Sequence, residues 1–215
     1  MKRLVVFDLD GTLVVNPAFY RDVYSGTLTQ LIEELKGKQG LEVLARFRRD
    51  FGGKGELALK ALGIPFAAWA ERLIAVSLEQ ILPNPRLVEA IRCLDAIKVI
   101  YTGSPVKMAE RVLERIGFAG EDFAKIIGWQ VLDEVPAKWS CSPQIFRDLL
   151  AEFGADASES WAVGDTWETD LAPAQVAGMQ TVLISLRRKG EPDYVYSTLQ
   201  QFLRTHPLPQ RDSRR

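Results

Sequence analysis

Short apolar runs separated by longer helix-period segments set the pattern of this chain. Five runs have the length and the β-branched or aromatic composition of buried strands: residues 4–7, 97–101, 125–131, 161–163 and 181–184. The segments between the later runs carry apolar residues at helical spacing and end at Gly117, Gly154 and Gly178. This alternation predicts an α/β fold, a Rossmann-like parallel sheet with helices on both faces.

The interval between the first two strands is too long for a simple crossover. A strand–helix–strand unit needs only about thirty residues, whereas residues 8–96 contain no convincing strand pattern. Apolar stripes at helical spacing begin after Asn16-Pro17 and stop at Pro83. We therefore predict an all-helical domain of residues 16–82, inserted into an α/β core domain of residues 1–15 and 83–205. Residues 206–215 are predicted to be a disordered tail.

Composition and charge narrow the classes of function. With 47% apolar residues, 26% charged residues and a net charge of −1, the chain is typical of a soluble globular protein. It has no basic patch, so neither nucleic acid nor a membrane is an expected partner. Cys93 and Cys141 have no metal or redox spacing, which favours a cytoplasmic location. The sole histidine, His206, lies in the predicted tail, which argues against histidine-based triads and zinc sites.

Polar residues follow the ends of the predicted strands. The carboxyl ends of parallel strands meet at one edge of the sheet, so we expect these side chains to converge there. The candidate residues are Asp8, Asp10, Thr102, Gly103, Lys138, Asp165 and Asp170.

This set of residues indicates phosphoryl chemistry. Three carboxylates in one place repel one another and stay ionised only beside a divalent cation. Oxygen ligands without histidine favour Mg²⁺. Thr102 and the Gly103 N–H can donate to phosphoryl oxygens, while Lys138 supplies positive charge. One aspartate can then attack phosphorus and a second can move protons.

The same residues resemble a known family. Asp8-Leu9-Asp10-Gly11-Thr12, Thr102, Lys138, and Gly164-Asp165 with Asp170 resemble, in order and in strand context, the four motifs of the haloacid dehalogenase superfamily. The helical insert resembles that family's helical cap of the first type. The arrangement is similar to phosphoglycolate-phosphatase-like and pyrimidine-5′-nucleotidase-like members.

The resemblance implies a Mg²⁺-dependent phosphatase that hydrolyses a small phosphorylated metabolite through an aspartyl-phosphate. Asp8 is then the nucleophile and Asp10 the general acid/base. The implied metal ligands are Asp8, Asp10 and Asp165, supported by Asp170. The implied phosphate-binding residues are Thr102, Gly103 and Lys138, with Thr102 and Lys138 also counted as catalytic.

Three points stay open at the level of sequence. A phosphomutase or phosphotransferase acting on a sugar phosphate has the same core, and a retired hydrolase could serve as a binding module. The glycine-rich residues 52–55 are best interpreted as a turn between insert helices, with contact between Lys54 and substrate as the alternative. The physiological substrate and the oligomeric state are not predicted.

Overall fold

The computed structural model describes residues 2–50, 55–130 and 137–205. Its centre is a single sheet of six parallel strands in the order β3-β2-β1-β4-β5-β6. The strands are β1 (Leu4–Phe7), β2 (Ile97–Pro105), β3 (Lys125–Trp129), β4 (Trp161–Gly164), β5 (Gln180–Ile184) and β6 (Tyr194–Tyr196). The predicted Rossmann-like parallel sheet is confirmed.

Two strands differ from the sequence prediction. The third strand was predicted over residues 125–131 but ends at Trp129, and Val131 lies outside the described residues. β6 was not predicted, because three residues flanked by polar loops give too short a pattern to recognise. It pairs with β5 in parallel, with Val182 opposite Tyr194.

In its described parts, the segment between β1 and β2 consists of helices joined by turns and loops. It contains α1 (Pro17–Tyr20), α2 (Gly26–Asp50), α3 (Leu57–Ala61) and α4 (Phe66–Ala75). A π-helical turn, Arg21–Ser25, joins α1 to α2. The side chain of Asn16 accepts the Phe19 N–H at 3.1 Å and so begins α1 at the predicted position. We call residues 16–82 the helical insert; its boundaries as a separate domain stay a prediction, and Lys54 lies outside the described residues.

The remaining α-helices of the described residues cover the sheet. They are α5 (Pro85–Arg92), α6 (Val106–Ile116), α7 (Gln144–Phe153), α8 (Ala172–Val176) and α9 (Leu199–Thr205). Gly117 and Gly154 end α6 and α7 in the left-handed conformation, with φ of 114° and 60°, as their positions in the sequence predicted. In the part of the chain that the structure describes, no helix combines the length and apolarity needed to cross a bilayer.

Alternate residues of the central strand serve two apolar clusters, one on each face of the sheet. Val5 and Phe7 belong to the larger cluster, whereas Leu4 and Val6 belong to the other. Both faces are covered, which explains why β1 reads as a continuous apolar run. The larger cluster continues into the helical insert, for example to Trp69. The insert therefore packs against the sheet side of the molecule through the same apolar core.

Candidate active site

A cavity of about 650 Å³ lies between the carboxyl edge of the sheet and the helical insert. All the predicted site residues except Thr102 line it; Thr102 lies directly beside it through its contact with Asp10. β1 lies between β2 and β4 in the sheet, and the Asp8 N–H donates to the Val163 carbonyl at 2.8 Å. The loop that follows β1 is thereby held at the point where the strand order reverses, which is where ligands bind in such sheets.

Lys138 lies between two buried carboxylates. Its Nζ is paired with Asp8 and, at 2.8 Å, with Asp170, and it donates to the Tyr101 carbonyl at 3.2 Å. Burial lowers the pKa of Lys138, but the charges of Asp8 and Asp170 outweigh this and hold the pKa above its ordinary value. Lys125, the lysine nearest before Lys138 in the chain, begins β3 at the opposite edge and pairs with Glu152 at 2.7 Å.

Three carboxylates form a group that could hold a metal ion. Asp8, Asp165 and Asp170 each offer an oxygen, and these oxygens lie within 4.8 Å of one another. Burial raises the pKa of Asp165 to about 6, and repulsion by Asp170 adds to the effect. Burial likewise raises the pKa of Asp8, although the charge of Lys138 opposes it. A hard divalent cation such as Mg²⁺ fits this oxygen-only donor set and would relieve the repulsion.

Two glycines allow these carboxylates to approach the backbone closely. A Cβ at Gly11, which has φ of 91°, would overlap the Asp165 carboxylate. A Cβ at Gly164 would overlap the side chain of Asp170. Glycine is therefore required at both positions by the packing of the acidic group itself.

The Asp10 carboxylate has different neighbours. Its Oδ2 accepts hydrogen bonds from Ser104 Oγ at 2.5 Å, Tyr24 Oη at 3.1 Å and Thr102 Oγ1 at 3.2 Å. Its Oδ1 is buried and has no hydrogen-bond partner among residues 2–50, 55–130 and 137–205. The Asp10 side chain is not part of the three-carboxylate group, so its role as a metal ligand stays a prediction.

Phosphate binding by the other predicted residues also stays a prediction. The Thr102 hydroxyl is buried beside Asp10, and it accepts the Ser104 N–H at 3.1 Å. Gly103 lines the cavity beneath the Trp139 indole, whose Nε1 would lie 3.1 Å from a Cβ at that position.

Three residues of the site were missed at the level of sequence. Thr12 donates its hydroxyl to Asp8 Oδ2 at 3.0 Å, and Ser104 and Tyr24 contact Asp10. Ser104 could have been found, because it is two residues from Thr102 and side chains two apart in a strand share a face. Burial and the Asp10 charge raise the pKa of Tyr24 well above its ordinary value, so it is a donor here. Nothing local in the sequence pairs Tyr24 with Asp10.

The helical insert forms the opposite wall of the cavity with aromatic and basic residues. Trp69 lies 6.0 Å from the sheet-side Trp129, measured between ring centroids. Arg48 lines the cavity, and its Nη2 donates to the Ser25 carbonyl at 3.2 Å and to Thr29 Oγ1 at 3.0 Å. The insert therefore supplies apolar area and a positive charge opposite the carboxylates.

A parallel sheet with a buried lysine–carboxylate cluster at its carboxyl edge, covered by a helical segment, defines a capped α/β enzyme. The chain belongs to the haloacid dehalogenase-like hydrolase family, which it matches over residues 2–178. The family resemblance of the four motifs is thus confirmed.

Similar proteins agree with this assignment. The chain is 27% identical to phosphoglycolate phosphatase of Rhodospirillum rubrum, covering 89% of this chain and 83% of that protein. It is 24% identical to glyceraldehyde 3-phosphate phosphatase of Pyrococcus abyssi, with coverage of 85% and 81%. The crystal structure of CbbY from Rhodobacter sphaeroides in complex with phosphate has the same fold, with a TM-score of 0.63, 17% identity and coverage of 94% and 96%. Phosphatase activity is therefore favoured over the alternatives.

Proposed function

We propose that this protein is a Mg²⁺-dependent phosphomonoesterase that acts on a small phosphorylated metabolite through an aspartyl-phosphate at Asp8. The observation that carries the proposal is the buried Lys138 between Asp8 and Asp170, beside the Asp165 carboxylate. The two phosphatases to which the chain is similar support the same class of substrate.

The nucleophile is held at both of its oxygens. Asp8 Oδ1 is paired with Lys138, and Asp8 Oδ2 accepts the Thr12 hydroxyl. This fixed orientation favours attack on phosphorus, which forms the Asp8–phosphorus bond and breaks the bond to the leaving oxygen. Asp10 gives its proton to that oxygen, and then takes one from the water that hydrolyses the aspartyl-phosphate. The proton balance of Asp10 is restored by the second step.

Charge neutralisation comes from two sources. Asp8 and Asp165 would hold Mg²⁺ together with the predicted ligand Asp10 and the neighbouring Asp170, and the ion supplies positive charge for the phosphoryl oxygens. Lys138 supplies positive charge from the protein itself, and Gly103 offers its N–H from the cavity wall. A cytoplasmic location is also proposed, because Cys93 and Cys141 are not joined in a disulfide.

The test is phosphate release from a panel of phosphomonoesters, with Mg²⁺ and with EDTA. We expect release with Mg²⁺ only, and we expect Asp8→Asn to lower it at least about 1,000-fold because an amide does not replace the nucleophile. Asp95→Asn, at an exposed position, is the matched control.

Turnover retained by Asp8→Asn would contradict the aspartyl-phosphate. Conversion of a sugar phosphate to its isomer without free phosphate would identify a phosphomutase instead.

A further inference from the structure

Three hydroxyl groups converge on one oxygen of Asp10. Ser104, Tyr24 and Thr102 all contact Oδ2, at 2.5, 3.1 and 3.2 Å. The Tyr24 and Ser104 hydroxyl oxygens are themselves 2.5 Å apart. All three hydroxyls therefore contact Oδ2, and Tyr24 and Ser104 also bond each other, whereas Oδ1 has no hydrogen-bond donor among the described residues.

The three contacts fix the orientation of the Asp10 carboxylate. They hold it at Oδ2 and so restrict its rotation. The direction in which Asp10 can give or take a proton depends on that orientation.

The three donors do not belong to the same part of the molecule. Thr102 and Ser104 lie on β2 and are held by the sheet. Tyr24 lies on the π-helical turn Arg21–Ser25 of the helical insert. Its ring is stacked on Tyr20 at 5.8 Å and lies edge-on to Trp69 at 6.5 Å. The packing of the insert therefore sets the position of the Tyr24 hydroxyl.

Tyr20 provides an internal comparison. Its hydroxyl donates to the Val14 carbonyl at 2.6 Å and accepts the Gly11 N–H at 2.8 Å. These are main-chain groups of the loop that carries Asp8 and Asp10. Of two stacked tyrosines, one holds the loop and the other touches the carboxylate.

We propose that Tyr24 is a positioning residue for Asp10, through which the helical insert completes the acid/base group when it is seated on the sheet edge. The inference rests on the proposed function, since it takes Asp10 as the group that protonates the leaving oxygen. Without the Tyr24 hydroxyl, the carboxylate can rotate and proton transfer loses its alignment.

The leaving group provides a selective test. An alkyl phosphate needs a proton at its leaving oxygen. From p-nitrophenyl phosphate the leaving group is p-nitrophenolate, a stable anion that needs little protonation by a general acid. For Tyr24→Phe we expect kcat/KM to fall about 30-fold with an alkyl phosphate that the wild type hydrolyses, and less than about threefold with p-nitrophenyl phosphate. Tyr20→Phe loosens the loop and is expected to lower both values by a similar factor.

Two further measurements separate positioning from general damage. The shift in melting temperature with Mg²⁺ should fall far less in Tyr24→Phe than in Asp165→Asn, because the Tyr24 hydroxyl contacts Asp10 and leaves the group of Asp8, Asp165 and Asp170 in place. Ser104→Ala removes a donor to the same oxygen from the sheet side. Ser104→Ala should show the same selective loss of kcat/KM with the alkyl phosphate. It replaces Tyr24→Phe in the experiment if that variant fails to fold.

An equal loss with both substrates, or no loss with either, would overturn the positioning role. A wild-type protein that releases no phosphate from any ester would instead refute the proposed function, so the two failures are distinguishable.

Discussion

The sheet edge and the helical insert face each other across one cavity, and they contribute to it in different ways. The sheet edge supplies charged groups from residues directly after strands, such as Asp8 after β1 and Asp165 after β4. The insert supplies aromatic and basic side chains from helices, such as Trp69 and Arg48. Backbone hydrogen bonds between the strands position the charged residues of the sheet edge, whereas side-chain packing positions the residues of the insert.

This difference separates two tasks. The charged residues of the sheet edge are buried or half-buried and depend on one another, as Lys138 does on Asp8 and Asp170. Changes there should affect the reaction itself. The residues of the helical insert line the opposite wall of the cavity. Changes there should affect which substrate binds or how Asp10 transfers its proton.

The largest effect is expected from Lys138→Met, which keeps the length of the side chain and removes its charge. Asp8 and Asp170 would then be buried together without their cation, and the pKa of Asp8 would rise further because Lys138 now lowers it. We expect phosphate release to fall about 100- to 1,000-fold, measured at saturating Mg²⁺.

The matched control for that variant is Lys125→Met, at the start of β3, where the lysine pairs with Glu152 on the exposed surface. It should change activity by less than about twofold. If Lys138→Met stays within about tenfold of the wild type, the sheet edge does not depend on this cation.

A smaller effect is expected from metal and pH acting on the three-carboxylate group. Mg²⁺ at about one hundred times its dissociation constant should stabilise the protein by about 2.7 kcal/mol, seen as a higher melting temperature. Burial, with added repulsion from Asp170, raises the pKa of Asp165 from 3.8 to about 6. The ionised group thus disfavours the metal-free fold above about pH 6, and this penalty shrinks as the pH falls from about 6 to 3.8.

The sign of the pH effect follows from that shift. As Asp165 takes up a proton, Mg²⁺ must displace it to bind, so the stabilisation by Mg²⁺ should shrink below about pH 6. Asp165→Asn should lack most of the stabilisation at every pH. A rise in melting temperature that is the same at low and high pH would argue against Asp165 as a ligand.

The smallest effect is expected on the insert side, from Arg48→Met. Nη2 of Arg48 is used by Ser25 and Thr29, which leaves Nη1 unbonded within the described part of the chain. We expect KM to rise about tenfold for a phosphomonoester that carries a second anionic group, with little change in kcat.

Arg46→Met, on the same helix but exposed, should leave both constants unchanged. A loss of kcat in Arg48→Met that is the same for every substrate would show that Arg48 acts in the chemical step and not in substrate binding. The sheet edge and the helical insert would then not have separate tasks.

Much of the sheet could be predicted because its signals are local. A strand covered on both faces must be apolar throughout, so β1 stands out in the sequence and Asp8 marks its end. The rule that parallel strands carry ligands at their carboxyl ends then brings Asp165 and Lys138 to the same place. Glycines in the left-handed conformation mark helix ends in the same local way, as Gly117 does for α6.

The contacts of Asp10 could not be predicted. Tyr24 is fourteen residues from Asp10 and Ser104 is ninety-four residues away. Their hydroxyls meet one carboxylate oxygen only because the turn Arg21–Ser25 packs onto the end of β2. A pattern of apolar positions records which face of a helix is buried, and says nothing of which polar group it meets.

By itself, the sequence determined the class of fold and the chemical character of the site. Apolar periodicity, helix caps and the order of polar strand ends are properties of short segments, and they specify an oxygen-rich, histidine-free centre. Tertiary structure alone decided that Lys138 lies between Asp8 and Asp170, and that Tyr24 reaches Asp10 from the insert. The physical reason is that hydrogen bonds and ion pairs act over a few ångströms, so they depend on how distant segments pack.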